Sequence, residues 1–411
     1  MRILELFKKI TQIPHCSGNT GALREFITTF TSRCGYHYEV DRAGNILCYR
    51  SKRDICLQSH YDMVCVGEAP HIEIYEKDGY LLAKNSSLGA DNGIGVAMML
   101  ALMEEGKEAE YLFTNDEEIG LIGAKNLELR LQATKMINLD SEEFGQIYVG
   151  CAGGADIVAQ REVDLQECEG NFYRVTARNF PGGHSGVDID KNIPSAIKEF
   201  AYFATDAKVA AIEAGERRNS IPVHLQAVIC TQESLQNSEY FLIERTEEKR
   251  VADFAIVKLL CAFAHGVRAW EREFAIPQVS VNLAKTTLID NLLRIEISVR
   301  ANSDKGLERI IQETLCFFDG FDREIVDIYP AWKPSITPLA KEIAREYERI
   351  TKHPVSFKAI HAGLECAIFA QKFPSMQIAS IGPDIINPHS VHERVKVDTI
   401  APLLNLLRDI L

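Results

Sequence analysis

Apolar residues at Ile3, Leu4, Phe7 and Ile10 share one helical face, and the segment is predicted to stop before Pro14. Leu23, Phe26, Ile27 and Phe30 repeat that spacing inside Thr20–Cys34, a second helix. The period then changes. His37–Val40, Asn45–Tyr49 and Ile55–Ser59 predict strands, the first two joined as a hairpin around Asp41-Arg42-Ala43-Gly44. His71–Lys84 predicts another hairpin, turning at Asp78-Gly79, and Ile94–Glu105, rich in Ala, Met and Leu, predicts a helix. Tyr111–Thr114, Met136–Leu139 and Gln146–Cys151 predict strands, with a helix at Gly120–Leu131.

The texture shifts near residue 170. Strands are predicted at Asn171–Ala177, His224–Cys230, Gln278–Leu283, Leu292–Val299 and Glu324–Tyr329, with helices at Ile193–Thr205, about Glu244–Phe263 and Lys305–Phe317. This is the pattern of helices on one face of an antiparallel sheet, so residues 170–334 are expected to form an inserted domain. Pro338–Ile350 (helix), Val355–Ile360 and Met376–Ile381 (strands) and Thr399–Leu411 (helix) return to the first domain. That domain comprises residues 1–169 and 335–411, an α/β unit built on a mixed sheet with helices on both faces. A chain of 411 residues agrees with two domains.

Composition narrows the function. Apolar content of 46% with 25% charged residues is ordinary for a soluble globular protein. A formal charge of −13 argues against nucleic acid or an anionic membrane as partner. The longest apolar segment, near Val96–Met103, is far too short to span a bilayer. Eleven cysteines, an odd number without a CxxC pair, predict free thiols in a reducing compartment, hence a cytoplasmic protein.

Four short motifs carry candidate chemistry: His60-Tyr61-Asp62, Asp91-Asn92, Asp116-Glu117-Glu118 and Asp140-Ser141-Glu142-Glu143. Each follows an apolar or β-branched run and opens into polar or glycine-rich sequence, as at the carboxyl ends of strands in an α/β sheet, where such sheets bind ligands. Imidazole and carboxylate together suit divalent metal. His60 and Asp62 share a face at period two, so the aspartate can orient the imidazole. Glu117 and Glu118 point to opposite sides, so one can bind metal while the other faces substrate as a base. Taken singly, each motif also has a plain structural account: a solvated acidic turn, a satisfied histidine, an N-cap. The glycine-rich entry at Gly89–Gly93 has no Lys-Ser/Thr and no GxGxxG spacing, which sets nucleotide binding aside.

The combination, with a late His389-Ser390, is recognisable. QSHYDMV (58–64), SLGADNGIGVA (87–97), TNDEEIGLIGA (114–124), INLDSEEFGQIYVGCAGG (137–154), GGHSGVDI (182–189), RNSIP (218–222), VSVNLA (279–284), HAGLEC (361–366) and IGPDIINPHS (381–390) resemble the co-catalytic zinc exopeptidases of the aminoacylase and carboxypeptidase G type. Within them the chain is most similar to the aminoacyl-histidine (Xaa-His) dipeptidases. The resemblance implies a catalytic domain interrupted by a lid and dimerisation domain, two divalent metal ions (zinc, with cobalt or manganese as substitutes), a small-peptide substrate and a homodimer. It places the bridging ligand on Asp91, one metal on His60 and Asp140, the other on Glu118 and His389, and the general base on Glu117, with Asp62 behind His60. It also implies a cis peptide at Asp91–Asn92.

The chemistry implied is attack by a metal-bound hydroxide, formed where two ions roughly 3.5–4 Å apart share a water. Glu117 would move the proton to the leaving amine and His184 would help hold the oxyanion. Arg300 and Asn282 are candidates for gripping a substrate carboxylate, His361 and Glu365 for its amino end. Two departures stand out. The chain is shorter than the Xaa-His dipeptidases, mostly in the insert, and Asn85-Ser86-Ser87 stands where threonines are common. A deacylase of N-acyl amino acids on the same fold is the second reading, favoured less by HAGLEC and GCAGG. A non-catalytic metal- or peptide-binding protein is the third, and no ligand or base is missing to recommend it.

Overall fold

Four parallel strands organise the part of the chain that carries the acidic motifs. In the computed structural model, which describes residues 2–411, they lie in the order Glu110–Thr114, Ile55–His60, Lys135–Asn138 and Gln377–Ser380. Their register pairs His60 with Thr114 and Gln58 with both Leu112 and Asn138, so the carboxyl ends of the strands share one edge. The hairpin His37–Val40/Ile46–Tyr49 extends the sheet on one side, Gln146–Cys151 and Ser356–Ile360 on the other, giving eight strands of mixed direction. The central strands are buried along their length, as sheets covered on both faces must be.

Helix Ala90–Glu104 is buried on nearly every side, from Ile94 to Met103, and packs on strand Ile55–His60 and helix Arg2–Ile10. A helix apolar all round belongs in a core, and no helix among the described residues is long and apolar enough to cross a membrane. Arg2–Ile10 contributes the stripe Ile3, Leu6, Phe7 and Ile10, all buried.

The chain divides into two compact units. One takes in the residues up to Gly150, Pro334–Ala359 and Leu364–Leu411; the other is Cys151–Lys333 with Ile360–Gly363. The expected boundary at 169/170 therefore lies inside the second unit. Strand Gly153–Glu162, not foreseen in the sequence, is the reason: it pairs antiparallel with Leu292–Ala301 on one side and Asp322–Tyr329 on the other. The second unit is built on a nine-stranded sheet. Its longest hairpin, Ile276–Ile289 to Leu292–Ala301, turns at Asp290 and Asn291, with φ of 48° and 65°, the left-handed pair that suits a two-residue hairpin. Helices Ala196–Phe203, Ile256–Ala262 and Asp304–Phe317 bury Ile197, Phe200, Val257, Leu260, Ile310 and Ile311 in one apolar cluster with the strand residues Val281, Leu283, Ile295 and Ile297.

Three local expectations change. The helix expected at Gly120–Leu131 is a single turn, Ile122–Lys125, closed by Asn126 N–H on Ile122 O and Leu127 N–H on Ala124 O, after which the chain leaves helical structure. The helix expected over Glu244–Phe263 is strand Phe241–Arg245, strand Arg250–Ala252 and the short helix Ile256–Ala262, since sheet pairing with Asn171–Ala177 and Leu165–Glu167 outcompetes local helical preference. Cys16 and Cys65 form a disulfide rather than the expected free thiols; the other nine cysteines are thiols. That link lies beside two backbone bonds, Met63 N–H to His15 O and Ser17 N–H to Met63 O, which hold the segments together.

Candidate metal centre

Three of the four motifs reach one place because their strands are parallel neighbours. Strand Ile55–His60 delivers His60 and the following Asp62; Glu110–Thr114 delivers Glu117 and Glu118; Lys135–Asn138 delivers Asp140. Asp91 arrives from the first turn of helix Ala90–Glu104, where Asp91 (φ −85°, ψ 106°) and Asn92 (φ −110°, ψ 32°) depart from helical geometry and the peptide between them is cis. His389 lies on the loop between the short strands Ile385–Ile386 and Arg394–Lys396.

Asp91 stands between two imidazoles. Its Oδ1 is 3.1 Å from His60 Nε2, and its Oδ2 is 3.1 Å from His389 Nε2. His60 Nε2 is also 3.1 Å from Asp140 Oδ1, and His389 Nε2 is 2.9 Å from Glu118 Oε1. The donor atoms thus fall into groups that could each hold a cation: His60, Asp91 and Asp140; Asp91, Glu118 and His389; and His60, Glu117 and Glu118. These two glutamates therefore converge instead of pointing to opposite sides, the left-handed Asp116 (φ 53°) having broken the strand alternation.

Neighbouring groups fix these side chains. His60 Nδ1 is 3.0 Å from Asp62 O, and the Asp62 carboxylate accepts from the backbone N–H of Glu117 (3.0 Å) and Glu118 (3.3 Å) and from Ser17 Oγ (2.8 Å). Asn92 Nδ2 donates to Asp140, while Asn92 Oδ1 accepts from Ser59 Oγ at 2.8 Å. Gly95 makes room for that link, since a Cβ there would collide with Asn92 Oδ1 and Ser59 Oγ. Beneath the edge, Gln58 Nε2 donates to Thr114 Oγ1 (2.9 Å) and Glu365 Oε2 (2.5 Å), and Asn138 Nδ2 to Gln58 Oε1 (2.6 Å).

The electrostatics call for positive charge. Burial works against a charged His60, yet Asp140, Asp62 and Asp91 raise its pKa well above the ordinary value. Burial likewise opposes His389, and the hydrogen bonds it donates to Asp91 and Glu118 still raise it to about 11. Burial pushes Glu117 well up, reinforced by Glu118, Asp140 and Glu365 against the pull of His60. Burial and Asp91 raise Glu118, and burial together with Asp91 and Asp140 lifts Glu142 to about 8. Carboxylates crowded around two imidazoles, with a donor set of hard oxygen and borderline nitrogen, are matched by divalent cations.

The second unit holds the other candidates. His184 Nδ1 accepts the backbone N–H of Gly186 (3.1 Å) and Val187 (3.2 Å), which leaves the ring proton on Nε2 and makes that atom a donor. Arg300 Nη1 donates to Tyr329 Oη at 2.6 Å, and its Nε is buried without a hydrogen-bond partner. His361 Nε2 is 2.7 Å from Ser280 Oγ, and burial with nearby Arg300 lowers its pKa to about 3. Asn282 spends both amide hydrogens on the carbonyls of Arg218 (3.0 Å) and Ser220 (2.9 Å). It therefore supports the loop whose Ile221 N–H and Asn219 O bond the His184 loop. Glu365, in the first unit, is fully buried on Gln58 and Thr114, and burial lifts it to about 8.

Ser17, Gln58, Asn92, Glu142 and Glu393 also belong to the site. Gln58, Asn92 and Glu142 lie inside the motifs quoted above, whereas Ser17 and Glu393 carry no local signal, since their partners are distant in the chain.

A family model, peptidase family M20/M25/M40, matches residues 56–411. The chain belongs to this family. As an M20 peptidase it is 30% identical to the cytosol non-specific dipeptidase of Escherichia coli (strain K12), over 99% of this chain and 96% of that one. Its fold matches the aminoacylhistidine dipeptidase of Vibrio alginolyticus with a TM-score of 0.82 at 27% identity, covering 100% of this chain and 96% of the other. A tripeptidase from Staphylococcus aureus shares the fold at a TM-score of 0.62 and 17% identity, over 100% and 96%.

Proposed function

We propose that this M20 peptidase is a dinuclear-metal dipeptidase, hydrolysing short peptides with a free amino terminus, Xaa-His dipeptides among them. The observation that carries the reading is Asp91, whose two carboxylate oxygens each lie 3.1 Å from a different imidazole, the two imidazoles having separate acidic partners. His60 and Asp140 would hold one ion and Glu118 and His389 the other, with Asp91 between them; zinc suits this donor set, with cobalt or manganese as substitutes. Bound there, the ions would supply Lewis acidity to the scissile carbonyl and acidify water.

The chain's own groups complete the reaction. Glu117 takes the proton of the attacking water and returns it to the leaving amine; its raised pKa makes it the more basic for that role. Asp62 holds His60 and the Glu117 backbone in place. Within the second unit, His184 Nε2 is a donor suited to an oxyanion, and Arg300, whose Nε lacks a partner, is suited to a carboxylate beside His361. Asn282 supports the loop bonded to the His184 loop, and Glu365 braces Gln58 and Thr114 beneath the strand ends.

The homodimer reading is supported by the edge strand Asp322–Tyr329, which ends the nine-stranded sheet and exposes Ile325, Val326 and Ile328. Exposed apolar edges are templates for pairing with another chain. A cytosolic location is supported by the name of the E. coli relative.

The test is amino-acid release by metal-loaded protein from Xaa-His dipeptides, other dipeptides, tripeptides and N-acyl amino acids. Cleavage confined to peptides with a free amino terminus supports the dipeptidase. Turnover of N-acyl compounds alone would replace it with a deacylase.

A further inference from the structure

We infer that Glu393 is a positioning residue that locks the His389 loop to the Asp91 turn and so sets the affinity of the second metal site; this rests on the dinuclear reading above. Ile385 and Ile386 pair antiparallel with Val395 and Arg394, so residues 387–393 are the loop of a hairpin, with His389 near the tip and Glu393 at the return. The loop closes on itself: Ser390 Oγ donates to Asn387 O (2.8 Å), His392 N–H to Ser390 Oγ (3.1 Å) and Glu393 N–H to Ser390 O (3.2 Å). The Glu393 side chain then leaves the loop altogether. Oε2 accepts the N–H groups of Leu88 (2.7 Å) and Gly89 (3.0 Å), and Oε1 those of Ala90 (2.7 Å) and Asp91 (3.3 Å).

Four consecutive amides on one carboxylate, which is 2% exposed, make a rigid joint. Hydrogen bonds to an ionised acceptor are the strong ones, and the first amides of a helix favour an anion. Gly89, at φ 70°, supplies the left-handed step that turns its neighbours' N–H groups the same way. The consequence is specific. His60, Glu118 and Asp140 follow sheet strands that hold them in register, whereas Asp91 and His389 come from a turn and a loop joined by Glu393. Loss of the joint therefore acts chiefly on His389, which belongs to the second cation group alone, whereas Asp91 is shared with the strand-held pair His60 and Asp140. Glu393 touches none of the proposed donor atoms, so it acts through position.

The test is calorimetric titration of the metal-free protein with Zn²⁺, for the native chain, Glu393→Gln, Glu393→Asp, His389→Ala and the double variant His389→Ala/Glu393→Gln. A glutamine offers one acceptor oxygen and turns an N–H₂ toward the amides. The expected result for Glu393→Gln is a first site near native affinity and a second weakened about tenfold to hundredfold, the range typical of residues behind metal ligands. In the His389→Ala background the same change should shift the remaining site about twofold or less. Native affinity at both sites in Glu393→Gln, or equal weakening of both, overturns the inference. A native chain that binds fewer than two equivalents overturns the dinuclear reading and this inference with it. Hydrogen exchange on the native metal-free protein needs no variant: Leu88, Gly89 and Ala90 amides should be protected, and exchange at exposed-loop rates would remove the joint.

Discussion

The Asp62 carboxylate accepts the Glu117 backbone N–H at 3.0 Å, so the residue behind the proposed ligand His60 also holds the proposed base. Asp62→Asn keeps the size of the side chain and surrenders one of the two acceptor oxygens shared by Glu117, Glu118 and Ser17. Activity or metal affinity should fall about tenfold to hundredfold with the fold retained. Paired measurements of kcat/KM and metal binding check this, and native values in both would remove Asp62 from its supporting role.

Glu117→Gln separates chemistry from metal binding. With the general base gone, turnover should fall by about 10²–10⁴-fold while both metals stay bound. The check is kcat alongside metal content; near-native turnover would assign the proton transfer elsewhere.

Asp91→Ala should behave in the opposite way. Both cation-binding groups that include Asp91 lose a carboxylate at once, so metal content after dialysis should drop from two equivalents to one or none. Retention of two would dismiss the bridging assignment.

Metal affinity should rise with pH. His389 is raised to about 11 and His60 well above its usual value, both by surrounding carboxylates against the effect of burial, so in the metal-free protein both imidazoles are protonated at neutrality. Each ion must displace those protons. The sign follows: binding releases protons, and affinity strengthens as pH rises toward the folded-state pKa. The same protonated imidazoles stabilise the metal-free fold fully below about pH 6.5, the ordinary histidine value. That contribution is lost as pH rises through about 11 for His389. Calorimetry in buffers of different ionisation enthalpy counts the protons; an affinity that falls between pH 6 and 8 would contradict the electrostatics.

Denatured without reductant, the chain should titrate nine thiols, and all eleven cysteines after reduction, because Cys16 and Cys65 are linked. Eleven thiols before reduction would restore the expectation read from the cysteine pattern.

Much of this molecule was legible because it depends on neighbours in the chain. The stripe Ile3, Phe7 and Ile10, the runs before His60, Glu117 and Asp140, and the hairpin at Asp78-Gly79 are local patterns, and each became the expected element. What local pattern cannot carry is partnership at a distance. Strand Gly153–Glu162 exists because two later strands flank it, and Phe241–Arg245 is a strand because Asn171–Ala177 offers it a ladder. Glu393 had no motif of its own: its four partners lie some three hundred residues earlier, and only folding brings them to hydrogen-bond distance. Motif and period along the chain were enough to name the residues able to bind a cation and the strand ends that carry them. The tertiary structure decided that Asp91 stands between His60 and His389, because parallel strand order and one buried carboxylate, rather than spacing along the chain, set those distances.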